Sequence, residues 1–95
     1  MIVASLEMNL RLEGCESLKD KRRILRSLLD KARNQFHVSI AEVDDQELWQ
    51  NACIGAACVS NNAVHAKSVL QQVLELFETT PAVQIEGISE EVYRS

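Results

Sequence analysis

The sequence predicts an α+β sandwich of order βαββαβ, a four-stranded antiparallel sheet with two helices on one face. Three observations predict it: an alternation of apolar and polar residues at the start of the chain, two stretches with apolar residues at helical spacing, and three short β-rich runs around them. Each helical stretch carries one apolar stripe and each strand one apolar face. All of these are buried together only if both helices lie on the same side of the sheet. With 95 residues, 46% of them hydrophobic, and a single proline, residues 1–95 suit one compact domain with a small core.

The elements follow in order. From Ile2 to Leu12 the even positions Ile2, Ala4, Leu6, Met8, Leu10 and Leu12 are apolar, whereas Ser5, Glu7, Asn9 and Arg11 are polar, which is the pattern of a half-buried strand. Gly14 breaks it. Ser17, with Asp20 three residues on, caps a first helix whose apolar positions are Leu18, Ile24, Leu25, Leu28, Leu29, Ala32 and Phe36. Val38 to Val43 is short and β-branched, VDDQELWQN is a polar connection, and ACIGAACV, Ala52 to Val59, is small and apolar on both faces, as a central strand would be. His37 is expected to start the first of these strands. Asn61 or Asn62 caps a second helix bearing Ala63, Ala66, Val69, Leu70, Val73, Leu74 and Phe77, TTPA ends it, and Val83 and Ile85 open a last strand. Right-handed crossovers then put strands one and three in the centre, the arrangement of a ferredoxin-like fold.

No run reaches the roughly 18 uninterrupted apolar residues of a membrane span, and the first residues lack the basic stretch of a signal peptide. A soluble, cytoplasmic protein without membrane contact is expected. Cys15, Cys53 and Cys58 are odd in number and form no CxxC pair, so they are expected to pack as reduced thiols rather than to bridge or hold a metal. Whether Cys15 is reactive depends on its exposure.

Charge is distributed unevenly. The net charge is −4, yet residues 19–33 carry seven basic and two acidic side chains, a net of +5, against −9 for the remainder. At about 100° per residue, Lys19, Arg22, Arg23, Arg26 and Arg33 share one exposed arc beside the apolar stripe. Lys21 falls within the stripe, between Leu18, Leu25 and Leu28. There it can either snorkel past the sheet edge or join the free amides behind Ser17 in holding an anion. Cations in a first helical turn oppose the helix dipole, a conflict that an anionic partner would remove. A second notable segment is AEVDDQELWQNA, in which Asp44, Asp45 and Glu47 surround the only tryptophan, Trp49. It is either a docking point with an aromatic anchor or packing over the sheet edge.

Familiar chemistries of such sandwiches lack their residues here. The central strands bear no stacking aromatics for an RNA-recognition motif, Cys15 stands alone where a metal carrier would have a pair, and LEGCESLKDKR lacks the glycine pattern of a phosphate-cradling loop. His37 and His65 form no nucleophilic set with a cysteine or serine. No catalytic residues and no cofactor are expected.

The pieces SLKDKRR, VSIAEV, DDQELWQ and IGAACVSN, within a likeness that spans nearly the whole chain, resemble the YlxP-like family of small bacterial proteins of unknown function. The family often has a histidine where this chain has Asp45. The resemblance implies a ferredoxin-like fold and a bacterial cytoplasmic setting, with genes that often lie near those for translation initiation and ribosome-binding factors. It implies no reaction. The leading expectation is a non-enzymatic factor contacting structured RNA or a ribosomal particle through Lys19, Lys21, Arg22, Arg23, Arg26 and Arg33, with no DNA partner. The alternative is a protein-binding or self-associating module that uses Asp44, Asp45, Glu47 and Trp49, or the open sheet face around Val3, to form a homo-oligomer. A third expectation is a small anion held by Ser17, Lys19 and Lys21.

Overall fold

The computed structural model describes residues 1–95. Alternation at the start of the chain becomes β1 (Ile2–Leu12), whose even residues are all buried. It is followed by α1 (Leu18–Phe36), β2 (Ser39–Asp44), β3 (Asn51–Ser60), α2 (Ala63–Glu78) and β4 (Val83–Arg94). The strands form one antiparallel sheet in the order β2-β3-β1-β4, so the two central strands are the first and third, as the crossover rule requires. This is the ferredoxin-like sandwich. No helix is long and apolar enough to cross a membrane.

Local chemistry sets the boundaries. Gly14 turns the chain with φ at 75°, in the left-handed region that suits glycine. Ser17 Oγ then accepts the Asp20 amide at 3.1 Å, and Asn62 Oδ1 accepts the His65 amide at 3.1 Å, each satisfying a donor that the first turn leaves free. His37 does not start β2. It ends α1 in the left-handed conformation, φ 53°, with its amide donating to Arg33 O at 3.1 Å.

The core lies between the helices and one face of the sheet. Leu6, Met8, Leu10 and Ile54 of the sheet meet Leu25, Leu28 and Ala32 of α1 and Leu70, Val73 and Phe77 of α2 in a single cluster. The second helix covers β1, β3 and β4, while α1 lies over β2 and against α2. A register shift between Glu42 and Asp44 leaves Val43 as an extra residue in β2. Glu42 pairs with the buried Ile54 and faces the helices, whereas Asp44 pairs with Cys53 and faces the open side. One inserted residue thereby sends neighbouring carboxylates to opposite faces of the sheet.

Candidate nucleic-acid interface

The cations predicted from the sequence sit on α1 because its buried positions are Lys21, Leu25, Leu28 and Ala32, which turns Lys19, Arg22, Arg23, Arg26 and Arg33 outward. Arg23 pairs with Asp20 at 2.7 Å, and Arg33 reaches Asp30 at 3.3 Å. The other guanidinium nitrogen of Arg33 donates to Ile40 O of the edge strand β2 at 2.7 Å, so this side chain is held down on the sheet edge. Lys19, Arg22 and Arg26 pair with no carboxylate. Between α1 and β2 runs a groove of about 350 Å³, lined by Arg22, Arg26 and Arg33, by Leu25 and Leu29, and by the carboxylates of Asp30 and Glu42.

Lys21 is not among the outward cations, and its assignment to the anion-binding set is corrected by its burial. Its side chain is 1% exposed, and Nζ stands 2.7 Å from Glu42 Oε2. The same ammonium donates to Asp45 O at 2.7 Å and to Leu48 O. Glu42 Oε2 makes no hydrogen bond, so its contact with Lys21 is an ion pair without hydrogen-bond alignment. An ammonium has three donors and here faces three oxygens, which leaves nothing for a ligand of the helix N-terminus. Ser17 and Lys19 therefore remain without the third member of the expected anion site. Sequence parity contains the signal for Glu42: in VSIAEV the inward residues are Val38, Ile40 and Glu42, so an inward lysine at a core position of α1 has an inward carboxylate opposite it.

Because Lys21 grips two carbonyls of the β2–β3 connection, that connection is fixed to the first turn of α1. Asp45 takes a positive φ of 61°, and its amide bonds Asp44 Oδ1 at 2.8 Å. Leu48 and Trp49 remain 48% and 45% exposed at the tip, so Trp49 is only half covered. Asp44 belongs to the open side, where the Cys53 thiol donates to Glu7 Oε1 at 3.2 Å. Burial, that hydrogen bond and the charges of Glu7, Asp44 and Asp45 push the Cys53 thiol up to about 11. Burial, then the charge of Asp20, raises Cys15 against the smaller opposing pull of Lys21 and Arg23. Both are buried, poor nucleophiles. Glu47 stays exposed in the connection.

A family model described as a protein of unknown function (DUF503) matches residues 3–90. The chain belongs to the DUF503 family. This DUF503 chain is also 38% identical over 68 residues to the uncharacterized protein YlxP of Bacillus subtilis (strain 168), a match covering 72% of this chain and 74% of that protein. The YlxP-like resemblance of its motifs is thus upheld. Among solved structures, a Chloroflexus aurantiacus J-10-fl protein that carries the name of an antibiotic biosynthesis monooxygenase aligns with a TM-score of 0.60 at 15% identity, over 98% of this chain and 94% of its own. A de novo designed protein with a ferredoxin fold aligns with a TM-score of 0.57 at 13% identity, over 100% of this chain and 88% of its own. At these identities the DUF503 chain shares the fold with both and nothing further follows.

Proposed function

We propose that the protein is a non-enzymatic cytoplasmic accessory factor that holds structured RNA or a ribosomal particle by its phosphates through the α1 face. The observation that carries this is the unpaired state of Lys19, Arg22 and Arg26 on one helical face of a chain whose net charge is −4. Like charges at i,i+3 and i,i+4 each cost about 0.2–0.5 kcal/mol, and Lys19, Arg22, Arg23 and Arg26 are spaced in that way. A line of phosphates converts the repulsion into attraction, and the negative remainder of the molecule disfavours loose binding elsewhere. Arg23 and Arg33 can join by exchanging Asp20 and Asp30 for phosphate. Lys21 contributes indirectly, by holding Glu42 of the groove.

The test is co-sedimentation with ribosomal particles over a salt series, beside filter binding to structured RNA. Three phosphate contacts predict a slope of log K against log salt of about −2 to −3. Arg22→Glu with Arg26→Glu should abolish binding while circular dichroism stays unchanged. Binding that survives this reversal would remove the α1 face from consideration.

A second assignment, self-association, is favoured by the open face of the sheet. There Val3 lies between its cross-strand neighbours Val59 and Tyr93, which are 67% and 54% exposed. Glu7 and Glu91 stand on the same face and oppose its burial against an identical copy. Sedimentation velocity across a wide concentration range decides it: a monomer throughout excludes this assignment.

A further inference from the structure

We infer that Trp49, on the connection that Lys21 ties to Glu42 of the arginine groove, is a base-stacking platform, so that the RNA engaged by this protein presents an unpaired base beside its phosphates. The inference rests on the phosphate-binding role of α1 and names the class of RNA that fits it. Of the four aromatic residues in the chain, Phe77 is fully buried, Phe36 is half-buried and Tyr93 is exposed on the open face of the sheet, while Trp49 keeps nearly half its surface open beside an equally open Leu48 on the connection that Lys21 ties to α1. Its place is fixed. Lys21 Nζ holds the carbonyl of Leu48, one peptide bond from Trp49, and the same ammonium holds Glu42, which lines the groove with Arg22, Arg26 and Arg33. The aromatic tip and the cations are thereby parts of one preset body, which lowers the ordering cost of binding.

Charge placement selects the partner. Asp44 faces the open side of the sheet, away from α1, and Asp45 offers only its carbonyl to Lys21. The two carboxylates that line the groove are each paired, Asp30 with Arg33 and Glu42 with Lys21, which leaves Arg22 and Arg26 as its free charges, while Asp44 and Glu47 are exposed in and beside the connection. A polyanion with an accessible base face matches cations beside an open indole. A double-helical RNA presents phosphates and hydroxyls with its bases already stacked, whereas a loop or single strand presents both features. Stacking of this kind is tolerant of sequence.

Trp49 is the only tryptophan, so its emission reports its own contact. The experiment titrates that emission with a single-stranded oligouridylate and with an RNA duplex of equal length. Affinities are measured in parallel for the wild type, Trp49→Ala, Trp49→Phe, and the Arg22→Glu/Arg26→Glu double variant. The expected result is quenching by the single strand and not by the duplex, single-strand affinity about tenfold weaker in Trp49→Ala, and most of it retained in Trp49→Phe. If Trp49→Ala binds as the wild type does and no quenching occurs, while the arginine reversal abolishes binding, stacking is refuted and the phosphate contact stands. If neither RNA binds at low salt, the phosphate contact fails first and stacking falls with it. A wild-type dimer that becomes monomeric in Trp49→Ala with unchanged RNA affinity would assign the indole to a second copy and overturn the inference.

Discussion

Replacing Lys21 with methionine keeps an unbranched apolar stem of nearly the same length and removes the ammonium with its charge and donors. In the native fold that ammonium, 1% exposed, faces Glu42 Oε2 at 2.7 Å, Asp45 O at 2.7 Å and Leu48 O. Removing one partner of a fully buried pair costs about 3–5 kcal/mol, because the other charge is left uncompensated. The Glu42 side chain is 19% exposed and can recover some hydration, and the two carbonyls lie in a connection that can open to water. The lower end of the range, about 3 kcal/mol, is therefore expected. For a domain of this size each kcal/mol lowers Tm by roughly 4–8 °C, so the variant should melt about 12–24 °C below the wild type. Far-UV circular dichroism during thermal and urea unfolding measures the loss, and Trp49 emission recorded in parallel shows whether the hairpin tip detaches before the helices melt. Glu42→Gln should also destabilise, by leaving a buried ammonium without its countercharge. The cycle closed by the Lys21→Met/Glu42→Gln double variant should return a coupling energy above about 1 kcal/mol. A Lys21→Met variant within about 0.5 kcal/mol of the wild type, the usual range of a surface substitution, would refute the assignment of Lys21 as the tie between α1 and the β2–β3 connection.

Two further outcomes follow from the caps and the thiols. Ser17→Ala removes the acceptor of the Asp20 amide and should lower the urea-derived stability by about 1 kcal/mol, with the helical signal of the native state unchanged. The native chain should take up an alkylating reagent at the half-buried Cys58, with Cys15 and Cys53 labelled only after unfolding; mass spectrometry of the labelled protein checks this. Because the folded state raises the Cys53 thiol from 9.0 to about 11, the unfolded chain loses that proton first as pH rises. The contribution is complete below pH 9.0 and declines toward about 11; a urea midpoint that rises across this window would contradict the buried, hydrogen-bonded thiol.

Much of the fold was legible because its determinants are local. Alternation over Ile2–Leu12 marks β1 to the residue, Ser17 and the pair Asn61 and Asn62 announce the helix starts, with Asn62 proving to be the second cap, and the two apolar stripes together with four strand segments admit one simple layered solution. The outward placement of Lys19, Arg22, Arg23 and Arg26 follows from the same periodicity. Boundaries that depend on backbone geometry were less accessible: His37 adopts a left-handed cap rather than opening β2, and the bulge at Val43 turns Asp44 away from the face that Glu42 occupies.

The order of elements, the inward stripe of each helix and the cationic face of α1 are written in local periodicity, which reflects neighbours one turn or one strand pair apart. What the inward and edge-directed charges do depends on contacts made across the fold. Lys21 meets Glu42 and carbonyls 24 and 27 residues away, and Arg33 crosses to the Ile40 carbonyl of the edge strand. A helical wheel places a buried lysine but not its partners, because those arrive from another strand once the chain has closed on itself. Burying that ammonium without them would cost several kcal/mol, so the packing of β2 and its connection against α1 decides that Lys21 is a tie and that the remaining cations form the surface.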